Sequence, residues 1–139
     1  MRLKMSNKES VLELHKINKA ILEKTAFMLL TVSTASIGYI LTQIKDEKWS
    51  TIMYLPLISL LLISSSFCFG ASYLGTYAKL ANINALFIQS VNPQEKLCHY
   101  PQLNECVNMM SFKNTLQFYT FIFGALFYAA YVFLGMFRT

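Results

Sequence analysis

Hydrophobic and polar positions along this chain are organised on two length scales. On the longer scale, residues 51–78 and 114–137 carry no charged side chain, and neither does the stretch 25–44. A helix needs about 20 mostly apolar residues to cross a hydrocarbon core about 30 Å thick. The pattern predicts an all-α integral membrane protein with about three transmembrane helices, at 25–44, 51–74 and 114–137. The second is expected to run on as a helix past Lys79 to about residue 91. Pro56 lies near its first turns, where a missing amide does least damage. Residues 80–91 are too few for a fourth span. Asn92-Pro93 and Tyr100-Pro101 mark 92–113 as a turn-rich loop.

On the shorter scale, Val11, Leu14, Ile17 and Ile21 recur at three- and four-residue spacing, which places them on one helical face. Ser6-Asn7-Lys8-Glu9 fits a capping box, in which the two side chains satisfy each other's free backbone amides. No Gly or Pro interrupts the chain from Ser6 to Ile37. Residues 1–24 are therefore expected to form a cytoplasmic amphipathic helix that continues directly into the first span. Its apolar face either lies on lipid or packs against copies of itself or against residues 79–91. The region before the first apolar stretch is long and no small-residue cleavage site follows it, which predicts a retained helix rather than a cleaved signal peptide.

Charge sharpens this picture. Only 14% of residues are charged, against about 25% in globular domains, too few to cover a water-facing surface on all sides. Six of the twelve basic residues (Arg2, Lys4, Lys8, Lys16, Lys19 and Lys24) precede the first apolar stretch. With the N-terminus inside, the inner segments hold nine basic residues and the outer ones three. The positive-inside rule then predicts a cytoplasmic N-terminus, an external C-terminus and residence in a bacterial inner membrane, with Trp49 and Tyr54 at the outer interface. Nucleic acid is not an expected partner, because Glu9, Glu13 and Glu23 interrupt the basic arm and no aromatic side chains interleave it.

Small and hydroxylated residues form stripes within the spans. Thr31, Ala35, Gly38 and Thr42 share a face of the first. Ser59, Ser66 and Gly70 share a face of the second, continued by Tyr73 and Tyr77. Gly124, Tyr128, Tyr131 and Gly135 line the third, with Asn114 and Gln117 extending the stripe. Such residues let helix backbones approach closely in lipid, or they wall a water-filled path without a buried charge. These are the candidate pore-lining or helix-packing residues, and Ser59, Ser66, Tyr73 and Tyr77 are the favoured wall. No Asp, Glu, His, Lys or Arg lies inside the spans, which argues against ion-coupled transport and proton relays.

Candidate chemistry elsewhere is sparse. Cys98, His99 and Cys106 lack the paired short spacing and the fourth ligand of a structural zinc site. Cys68 reads as a small packing residue within the second span. With 92–113 cytoplasmic the thiols are expected to be reduced, and with the opposite orientation a Cys98–Cys106 bridge is open. No phosphate loop, His-Glu-x-x-His or Gly-x-Ser-x-Gly occurs, so neither an enzyme nor a cofactor is expected. In organisation alone the chain looks like small bacterial membrane effectors of defence systems, in which a cytoplasmic helix leads into a membrane hairpin. The expected function is a homo-oligomeric pore-forming or membrane-permeabilising effector. The alternative is a non-conducting partner of another membrane protein, as an immunity, assembly or regulatory subunit. The expected contacts are the lipid bilayer, further copies of the chain and, on the alternative, a membrane-protein partner.

Overall fold

The computed structural model describes residues 2–137, and for residues 2–9, 11 and 12 it describes the backbone path alone. The fold is all-α. Helix α1 spans Arg2–Ile44, a short 3-10 turn at Thr51–Met53 leads into α2 at Tyr54–Gln89, and α3 spans Pro93–Met136. All three are long and apolar enough to cross a membrane. At 1.5 Å per residue each is about 54–66 Å long, roughly twice the thickness of a hydrocarbon core. The surplus lies at one end of the bundle, where the first half of α1, the last turns of α2 and the first half of α3 carry most of the charge. At the opposite end Trp49 and Tyr54 meet edge to face, with ring centroids 6.3 Å apart.

Two local expectations are corrected. Residues 93–113 are helical, not a loop. Asn92-Pro93 does make the turn, with Asn92 extended and the proline in the first helical turn, where its missing amide is not needed. Tyr100-Pro101 does not break the helix, although Pro101 lies in its interior. The carbonyl that Pro101 leaves without its usual amide belongs to Leu97, which is exposed and open to water. Packing of Leu103, Cys106 and Met110 against Leu80 and Ile83 holds this stretch to α2. Ser6 does not cap a helix either, because α1 already runs from Arg2. The Ser6 and Glu9 side chains, and that of Val11, lie outside the described residues.

The core is the seam between α2 and α3, with α1 laid against α2 and touching α3 sparingly. Along α2 the buried positions are Pro56, Ser59, Ile63, Ser66, Gly70, Tyr73, Leu80 and Ile83. From Pro56 to Leu80 they step by three and four residues in alternation, with half-buried Tyr77 filling the one long interval, and Ile83 follows three residues on. Along α3 the matching set is Leu103, Cys106, Met110, Lys113, Gln117, Thr120 and Gly124, all buried or half-buried. A mean step of 3.5 residues is the spacing that keeps two helices in continuous side-to-side contact.

Candidate functional site

The sequence-derived stripes separate into two groups. Ser59, Ser66, Gly70, Tyr73 and Gly124 lie inside the α2–α3 seam. Ser59 Oγ donates to the Gly124 carbonyl at 2.6 Å, and Ser66 Oγ donates to the Gln117 carbonyl at 2.8 Å. The two bonds are seven residues apart on each helix, so the same contact recurs after two turns. A hydroxyl on Cβ reaches a main-chain carbonyl across a helix pair only when the backbones are close, and Gly124 allows that approach. A Cβ built on Gly124 would stand 2.6 Å from Ile63 Cγ1 and 3.3 Å from the Ile63 backbone nitrogen. These serines are therefore polar groups of a dry contact. The favoured wall of a water-filled path is corrected on this point, because Ser59 and Ser66 are fully covered within one chain.

Gln117 is the junction of all three helices. Its side chain fills the space over Gly70, where a Cβ would collide with Nε2. Its Nε2 points to the Ala26 carbonyl of α1 at 3.5 Å, the outer limit of a hydrogen bond. Gln117 and Ser33 have no exposed surface, and Gln117 Oε1 and Ser33 Oγ have no partner. At the charged end of the seam Lys113 is half-buried, its Nζ donating to Thr76 Oγ1 at 2.8 Å.

The stripe on α1 is placed otherwise. Among the described side chains of α1 the buried ones are Ala26, Leu29, Ser33 and Ile40. At about 100° per residue, Gly38 and Thr42 project from the opposite side, and a Cβ on Gly38 would meet nothing within 4 Å. Gly38 and Gly70 therefore do not face one another, which corrects a packing of the first two stripes. Thr31 and Ala35 reach the rim of a cleft of about 460 Å³ between α1 and α3, whose floor includes Ile63, Phe121 and Ala125. The hydroxyls of Thr31 and Thr42 donate to the carbonyls of Phe27 and Tyr39 in their own helix. At the outer end of the cleft Tyr39 and Tyr128 meet edge to face, and Tyr131 lies against Tyr128, each pair at 6.0 Å between ring centroids. Tyr77 is half-buried beneath the Lys19 ammonium, 5.1 Å from the ring centroid. Gly135 stands in open space.

In the N-terminal arm, Leu14, Ile17 and Ile21 are exposed rather than packed on residues 79–91. The side of α1 that faces the bundle there carries His15, Asn18, Lys19 and Leu22. Cys98 and Cys106 lie eight residues apart on one continuous stretch of α3, about 12 Å along its axis. That separation is too great for a disulfide, and all three cysteines are free. Among the described residues no group of three His, Cys, Asp or Glu could hold a metal ion. Lys113 and Thr120 were the seam positions that sequence reasoning passed over, and their 3.5-residue spacing with Gln117 and Gly124 was the available signal. No family model, curated protein or solved structure matches the chain.

Proposed function

We propose that the protein is a membrane-embedded effector whose copies assemble around a path lined by α1, permeabilising the membrane in which they sit. The observation that carries this is the uncovered face of α1. It is uncharged, bears the hydroxyl of Thr42, opens at Gly38, and points away from the bundle. Hydroxyl groups line water without the cost of an intramembrane charge. The seam of α2 and α3 gives each copy a rigid back, and α1, held to it more lightly, is the element free to face the centre of a ring. The N-terminus is inside and the C-terminus outside on this reading. Reporter fusions after Lys48 and after Asn92 are expected to report opposite sides, with the Lys48 fusion external. The same side for both would remove the second span.

One observation favours a second reading, a non-conducting partner subunit. The space over Gly38 is what a close helix–helix contact in lipid requires, and a helix of a different membrane protein would fill it equally well. Thr42→Asp separates the two. On a water-filled wall the carboxylate is hydrated, so the protein still assembles and its cation preference rises. Against a docked helix a carboxylate costs about 2–4 kcal/mol or more and association is lost while the single chain remains folded. Size measurement in detergent and planar-bilayer recording of the purified wild type come first. A monomer that passes no current under any condition ends the pore reading.

A further inference from the structure

Below the Gln117 junction residues of all three helices line a cavity of about 520 Å³. It lies at the level where charge resumes along all three helices, at Lys24, Lys79 and Lys113. In a membrane that is headgroup depth. Its walls combine donors from two helices with apolar surface from three. Lys19, His15 and Asn18 come from α1 and Asn114 from α3, while Leu22 and Leu80 supply part of the apolar side. The Lys19 ammonium rests over the Tyr77 ring, which holds the charge at the cavity wall. Asn114 Oδ1 is buried without a partner. Asn114 lines the cavity, and the NH₂ at the other end of the same amide is the donor it can offer there. Among the described residues no carboxylate lines the cavity, and Glu23 acts on lining Tyr73 from outside.

We infer that this cavity binds a phosphate-bearing anion, either the head of an anionic lipid or free phosphate. Lys19 supplies the charge, the Asn114 and Asn18 amides and the His15 ring supply directed N–H donors, and Leu22 and Leu80 accept the first carbons of an attached glyceride. A basic pocket between helices at the inner surface is the setting in which anionic headgroups are recognised. The inference is independent of whether the protein conducts.

Native mass spectrometry of the purified full chain, offered phosphatidylglycerol and phosphatidylcholine in turn, tests it. Phosphatidylglycerol is expected to be retained about fivefold or more over phosphatidylcholine, the worth of roughly one lysine at a lipid surface. Lys19→Gln removes the cation, and Asn114→Asp turns a donor into a negative charge, so each is expected to abolish the preference. Lys16→Gln removes the same charge from an exposed site outside the cavity and is expected to leave it unchanged. Displacement of the lipid by millimolar inorganic phosphate assigns the site to the phosphate alone, and retention assigns it to the lipid. Equal retention of the two lipids with no displacement overturns the inference, as does an equal loss from Lys16→Gln. If the cavity variants do not fold, the wild-type comparison decides alone.

Discussion

Gly124→Val is expected to separate α2 from α3 and to lower the stability of the helical bundle by about 3 kcal/mol, the upper end of the range for overpacking. The added carbons fall on Ile63, whose side chain and backbone nitrogen both stand in the way. A flexible side chain can move aside, but the backbone nitrogen cannot, so the helices must part. Parting them also lengthens the bond from Ser59 Oγ to the Gly124 carbonyl, which contributes about 1 kcal/mol. Ser59→Ala removes that bond without changing the backbone distance and should cost no more than this smaller amount. Gly70→Leu belongs with Gly124→Val, because the new side chain would occupy the place of Gln117 and detach α1 as well. Gly38→Leu, in open space, is expected to leave the single chain as stable as the wild type and to change only its association. Thermal unfolding in detergent, followed by loss of the monodisperse peak, measures all four. If Gly124→Val were within about 0.5 kcal/mol of the wild type, the seam would not be packed as described.

The charge-free stretches made the number of long helices readable, because about 20 uncharged, mostly apolar residues are what a spanning helix requires, whatever the detail of packing. The seam was harder to read. Its positions are occupied by Ser59, Ser66, Gly70, Gln117, Thr120 and Gly124 rather than by Leu and Ile, so a search for apolar heptads passes over it. In lipid the usual pattern is relaxed: apolar residues have no reason to leave the outside, and small ones gather where backbones meet. Stripes of small residues were visible, but which stripe faced which helix was not. Gly38 and Gly70 are alike in the sequence and opposite in the fold, one in open space and the other under Gln117. The turn propensity of Tyr100-Pro101 pointed to a loop because local preference alone was weighed. A bundle that buries Leu103, Cys106 and Met110 against α2 overrides one missing hydrogen bond. The polar face of the N-terminal arm was legible as a face, yet its direction was not. His15, Asn18 and Lys19 turn inward over a cavity while Leu14, Ile17 and Ile21 turn out.

Ser66→Asp is expected to prevent the protein from accumulating, whichever function it serves. Ser66 has no exposed surface and its hydroxyl donates to the Gln117 carbonyl at 2.8 Å. A carboxylate there has no proton to give and faces the negative end of a carbonyl dipole. It cannot reach water, and no cation lies inside the spans to pair with it. The cost of an isolated ionised group in such a site is several kcal/mol, comparable to the whole stability of a small domain at about 5–15 kcal/mol. Protonation relieves the charge but leaves the larger carboxyl in a contact that just fits a hydroxyl. Ser66→Ala, which loses one hydrogen bond and keeps the shape, should accumulate at close to the wild-type level. Ser65→Asp provides the contrast one position away. Ser65 is exposed on the outside of α2, with its hydroxyl bonded back to the Leu61 carbonyl of its own helix, and a carboxylate there opens no seam between helices. The membrane level of each variant, measured by immunoblot against the wild type, orders them as Ser66→Ala above Ser65→Asp above Ser66→Asp. If Ser66→Asp instead accumulated and conducted with an altered ion preference, Ser66 would face water, the α2–α3 seam would open in the working state, and the path would run through that seam rather than along α1.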